Sequence, residues 1–182
     1  MVAQNRLVTA EEFDRFVMQP ENLSQYFQLV GGKIVEKQVS DFRASIVGLW
    51  MMSQIALFVE AHDLGWLTGA DGGYAVFGEY YVPDGAFLSK VRCPQIPTET
   101  YIPLAPDLAL EVLSPTNSDE LIRVKLSNYL AAGTLVWVVD PGKRVESHRA
   151  GRLAKVLFAG DTLDGEDVLS GFSLPVRDVL AK

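Results

Sequence analysis

The chain has 182 residues, a size that suits one folded domain, and 48% of them are apolar, enough to fill a sizeable core. Its formal net charge of −7 argues against broad nonspecific nucleic-acid binding while leaving room for a local basic groove. One cysteine, Cys93, and two histidines, His62 and His148, exclude an internal disulfide, a Cys-cluster zinc site and a His-rich centre, so a metal here should be a hard, oxygen-held ion, Mg²⁺ or Mn²⁺.

From the N-terminus, MVAQNRLVTA lacks a signal-peptide core and no apolar run reaches the length of a membrane span, so a cytoplasmic location is the default expectation. Thr9 and Glu12 have capping-box spacing and predict a helix to about Met18, closed by Pro20. Tyr26 to Val30 and Lys33 to Lys37 read as two strands joined by Gly31-Gly32, with Glu36 on the second. Taken alone, Glu36 reads as an ordinary solvent-facing residue. Ser40 to His62 carries the longest helical pattern, with Gly65 as its stop. Its centre is apolar nearly all round, which predicts a buried helix with Trp50, Met51 and Met52 in the core. That centre, about 14 residues long, is too short for a bilayer.

Tyr74 to Phe77, Tyr80 to Val82 and Gly85 to Leu88 are strand material, read as antiparallel neighbours. Pro83-Asp84 interrupts the second pair, and Asp84 is either a turn residue or a side chain aimed into a site from a strand end. A proline-rich loop covers 90 to 105. The six residues Leu108 to Leu113 are apolar except for Glu111, a pattern of a strand buried on both faces. Asn117 or Ser118 can cap a helix to about Ala132, stopped by Gly133, and Leu135 to Val139 is again a continuous apolar strand. Strand, helix, strand predicts a parallel crossover. Arg144 to Arg149 and Leu153 to Phe158 form a hairpin around Gly151, with a basic patch of Lys143, Arg144, Arg149, Arg152 and Lys155 that also reads as an ordinary solvated surface. The tail holds an acidic stretch, Asp161 to Asp167, and a short helix near Val176.

Glu111 carries the chemical argument. A carboxylate in an apolar strand needs a cation: a paired lysine or arginine, a metal, or both. Asp107 shares its strand face, but at a rise of about 3.3 Å per residue their Cα atoms stand roughly 13 Å apart. An acid from a neighbouring strand, about 4.8 Å away, fits more readily, and Asp84 is the best candidate by chain position. Lys125 lies on the helix face that carries Leu121, Ile122, Tyr129 and Ala132, so it either snorkels to water or meets Glu111. Two carboxylates, a divalent ion and a lysine make a hydrolytic site: the ion polarises a phosphoryl oxygen and the lysine orients the water. No Walker-type loop or Ser/His/Asp triad supports an ATPase or serine hydrolase.

The run Pro106-Asp107-Leu-Ala-Leu-Glu111-Val-Leu-Ser-Pro115, followed by Lys125, Tyr129, Gly133 and Val139-Asp140-Pro141, resembles the bacterial Uma-type restriction endonuclease family of the PD-(D/E)XK nuclease superfamily. Val82-Pro83-Asp84 and Gly32-Lys-Ile-Val-Glu36 are also similar to its pattern, and the resemblance covers about residues 25 to 180. It implies an α/β restriction-endonuclease-like core, with a mixed central β-sheet flanked by helices and an added β-hairpin, in a single domain. It implies an endonuclease that hydrolyses phosphodiester bonds in DNA with Mg²⁺ or Mn²⁺, and cutting both strands of a duplex with paired active sites would favour a homodimer. Asp84 and Glu111 would hold the metal, Lys125 would assist the water and Glu36 would be an auxiliary acid. Leu113 stands where the motif has its lysine, and Leu121 where relatives often have an aspartate four residues before the helix lysine. Two other readings stay open: a non-catalytic binding protein on this fold, and a metal-dependent phosphoesterase for a small phosphorylated substrate.

Overall fold

The computed structural model describes residues 6–115 and 118–182. Helix α1 (Ala10–Val17) begins with the expected capping box: the Thr9 side chain accepts from Glu12 N and the Glu12 carboxylate accepts from Thr9 N. Strands β1 (Phe27–Val30) and β2 (Lys33–Glu36) pair antiparallel across Gly31 and Gly32, whose φ values of 59° and 69° give the left-handed turn such a hairpin needs. Helix α2 (Phe42–Ala61) is capped by Asp41, whose carboxylate accepts from Arg43 N and Ala44 N. It closes at His62, as expected, but the turn outward is made by Asp63 at φ 52° and not by Gly65. Gly65 instead opens strand β3 (Gly65–Thr68), where a Cβ would stand 2.2 Å from the Leu88 carbonyl.

Strands β4 (Gly73–Val76) and β5 (Glu79–Tyr81) form an antiparallel hairpin, as expected. Strand β6 (Gly85–Ser89) does not join them: it pairs with β3 and, across the fold, with β8 (Leu108–Val112). The proline-rich loop contains a short strand, β7 (Tyr101–Ile102), parallel to β4. Helix α3 (Asp119–Ala131) follows β8, capped by Ser118; Asn117, the other candidate cap, lies outside the described residues. Strand β9 (Leu135–Asp140) then runs parallel to β8, completing the expected crossover. Strands β10 (Arg144–His148) and β11 (Lys155–Leu157) make the added hairpin. The acidic tail folds into a second hairpin, β12 (Thr162–Gly165) and β13 (Leu169–Pro175), before helix α4 (Val176–Leu180).

The expected central sheet is thus divided. A five-stranded sheet runs β2-β1-β5-β4-β7, a six-stranded mixed sheet runs β11-β10-β9-β8-β6-β3, and β12-β13 stands apart. The six-stranded sheet is covered on both faces, which is why β8 and β9 read as continuous apolar runs. On one face Leu108, Leu110 and Val112 pack with Met51, Met52 and Ile55 of α2. On the other, Ala109, Val136 and Val138 pack with Tyr129 of α3 and with Val30, Tyr74 and Tyr81 from the five-stranded sheet. Helix α2 departs from expectation in two ways. It is long and apolar enough, by length and composition, to cross a membrane, though here it serves as a core helix. It is also not buried all round: Phe42, Leu49 and Leu57 are exposed, because a helix lying on one sheet has only one face to bury.

Candidate active site

The chain passes from the five-stranded to the six-stranded sheet at Val82-Pro83-Asp84, between β5 and β6. Gln28 on β1 fixes this bend, its side-chain carbonyl accepting from Val82 N at 2.9 Å. On the far side of the bend β6 pairs antiparallel with β8, Gly85 opposite Leu110 and Ala86 opposite Ala109. Asp84 is the bend residue just before β6, and its N–H donates to Leu110 O at 2.9 Å. Asp84 Oδ2 accepts from Val112 N at 2.8 Å, so the carboxylate is held against the strand that carries Glu111.

Glu111 is 5% exposed, and so is Lys125, whose ammonium lies 2.5 Å from Glu111 Oε1. Lys125 therefore turns inward from α3 and does not snorkel to water. Behind the pair, the Tyr129 hydroxyl donates to Glu111 Oε1 at 3.5 Å, the long limit for such a bond, and Lys125 sits 6.0 Å from the Tyr81 ring centroid. Burial pushes the Glu111 carboxyl above the usual carboxylate range; the Lys125 charge offsets part of that rise and the Asp84 charge adds to it. Burial, reinforced by the charge on Glu111, also pushes the Tyr129 phenol well above its ordinary value, so it stays a donor. Tyr81 is raised too, first by burial and then by its hydrogen bond to Glu79, and Asn128 from α3 completes that cluster.

Asp84, Glu111, Lys125 and Glu36 all line one cavity of about 90 Å³. Glu36 stands exposed at its mouth, and its carboxylate forms no ion pair among the described residues. Asp107 is not part of the cavity. Its carboxylate accepts from Ser89 N and pairs with Arg92, which fixes the start of β8.

Two residues that sequence reasoning passed over belong here. One is Gln28; the other is Lys37, whose ammonium donates to Val82 O (2.7 Å), Pro83 O (3.2 Å) and Asp84 Oδ1 (3.1 Å). Both lie within the two strands read from the sequence, where nothing marked them as site residues. The only available signal was that Lys37 directly follows Glu36.

A divalent ion would find two carboxylates lining one cavity, a hard-oxygen donor set suited to Mg²⁺ or Mn²⁺. Among the described residues no three His, Cys, Asp or Glu side chains cluster, so the rest of the shell would come from main-chain carbonyls and water. The basic patch on the β10–β11 hairpin is not a cationic surface. Lys143 and Arg144 pair with Asp140, Arg144 also with Glu146, Arg149 with Asp167, Arg152 with Glu166, and Lys155 with Asp164 and Glu166.

A family model described as "Putative restriction endonuclease" (Uma2) matches residues 10–177. The fold is similar to the crystal structure of a protein described as "a putative nuclease belonging to DUF820" from Anabaena variabilis. That likeness has a TM-score of 0.83 and 20% identity, over 96% of this chain and 98% of that one. A comparison with curated proteins found no match.

Proposed function

The chain belongs to the Uma2 restriction endonuclease family, and from that premise we propose that it is a nuclease hydrolysing DNA phosphodiester bonds with Mg²⁺ or Mn²⁺. The observation that carries this reading is one cavity lined by Asp84, Glu111 and Lys125, with the Asp84 carboxylate held against β8 by the Val112 N–H and the Lys125 ammonium on Glu111. Asp84 and Glu111 hold the ion. When bound, the ion polarises a phosphoryl oxygen and lowers the pKa of a water.

The other roles belong to the chain's own side chains. Lys125, pinned by Glu111 and facing the Tyr81 ring, points a fixed positive charge at the place where an attacking water or a developing negative charge would stand. The Val112 N–H keeps Asp84 turned toward β8, and Gln28 keeps the bend before it from shifting. Glu36 at the mouth can accept a proton from water without disturbing the buried pair. The cavity is far below the roughly 300 Å³ at which small-ligand pockets begin, which favours a chain laid across the opening over an enclosed small phosphorylated molecule. Cutting both strands of a duplex calls for two such sites, hence a homodimer.

A supercoiled-plasmid assay with Mn²⁺ tests the reading. Wild type is expected to nick, and Glu111→Gln and Lys125→Ala to lose at least about a hundredfold in rate. Nicking that survives both substitutions overturns the assignment. Retained metal binding without nicking points to another phosphoester, and the absence of both to a non-catalytic role.

A further inference from the structure

Lys37 saturates its three ammonium donors with three oxygens, two main-chain carbonyls and one carboxylate. Its side chain is 14% exposed and that of Asp84 15%, so the contact is poorly screened by water. With Oδ1 on Lys37 and Oδ2 on Val112 N, both oxygens of Asp84 are engaged. The second carboxylate, Glu111, is matched in the same way by Lys125. The site therefore carries its own two positive charges against two negative ones.

We propose that Lys37 is a built-in competitor for the cation at Asp84, which holds that oxygen cluster closed until a divalent ion displaces it and thereby sets the metal affinity of the site. The inference rests on the metal-dependent reading above. Carbonyl and carboxylate oxygens are the ligands that a hard divalent ion also takes. An ammonium and a divalent ion on one carboxylate repel each other strongly in such a sheltered place, so the ion enters at the cost of the lysine contact. Lys37 is a positioning residue here, since it acts through Asp84.

The test is a Mn²⁺ titration followed by the electron paramagnetic resonance signal of the free ion. It compares wild type, Lys37→Met and Lys37→Gln, with Asp84→Asn as the control for the site and circular dichroism to confirm folding. Lys37→Met is expected to bind Mn²⁺ at least about tenfold more tightly than wild type, the size of effect a like charge at this range exerts. A residue that merely braces the bend would lower thermal stability without tightening metal binding. Should Lys37→Met fail to fold, Lys37→Gln removes the charge and keeps a donor for the bend. Equal or weaker binding in the folded variant overturns the competitor role and leaves the nuclease reading standing. Absence of Mn²⁺ binding in wild type and variants alike sinks both.

Discussion

The Glu111–Lys125 pair is costly where it stands. Burying two charges costs several kcal/mol per ion, and matched apolar side chains would serve stability as well. Removing one partner is worse than removing both, because the survivor is left charged and dry. Lys125→Met should therefore destabilise the protein by about 3–5 kcal/mol near pH 8, while the double variant Glu111→Gln/Lys125→Met recovers most of that loss. The pH dependence follows from the direction of the Glu111 shift. Its folded-state pKa lies above the unfolded value, so its contribution is full below the unfolded value and falls as pH rises through the folded one. Losing Lys125 removes a charge that lowers that pKa, so the fall becomes larger. Urea denaturation at pH 5 and pH 8 should show a smaller deficit for Lys125→Met at pH 5, where Glu111 can take a proton. A deficit independent of pH would mean that Glu111 does not titrate in the folded protein.

At the scale of elements, burial can be separated from composition. Met51 and Leu49 lie on one helix and are both apolar, yet Met51 is fully buried against β8 and Leu49 is 76% exposed. Met51→Ala should cost about 2–5 kcal/mol and Leu49→Ala less than about 0.5 in urea denaturation. The sequence of α2 shows a helix but not its buried face, since apolar residues occur all round. The β4–β5 turn offers the opposite kind of change. Phe77 sits at φ 51° beside Gly78 at φ 77°, a left-handed turn that favours Asn-Gly, and its ring is mostly exposed. Phe77→Asn should stabilise by about 1 kcal/mol, a rise of roughly 2–4 °C in Tm. The β12–β13 hairpin escaped notice because its acids mask the alternation of buried Leu163 and Gly165 with exposed Thr162 and Asp164. By contrast, β8 and β9 were legible because burial on both faces leaves nearly unbroken apolar runs, in which Glu111 stands out, and α3 was legible from its Ser118 cap and Gly133 stop.

For the whole molecule, the division into two sheets is what the sequence could not convey. Tyr80 to Val82 and Gly85 to Leu88 are separated only by Pro83-Asp84, and nothing local says that the chain changes sheets there. That change is also what brings Lys37 and Gln28, on the first hairpin, against the Val82–Asp84 bend. It leaves Glu36, Asp84 and Glu111 at the cavity against Lys37 and Lys125, three negative charges to two positive. With the β10–β11 cations all paired and a net charge of −7, the proposed DNA substrate would meet little positive charge on that hairpin, and a divalent ion would add some at the cavity. Affinity for a short duplex, read by fluorescence anisotropy, should then be weak without divalent ions. It should improve at least about tenfold with Ca²⁺, which takes oxygen ligands as Mg²⁺ does. The slope of log affinity against log salt should correspond to no more than about three phosphates. Tight metal-free binding with a steep salt slope would instead require a cationic face that the pairing of these side chains does not leave, and the DNA reading would then have to rest on another surface.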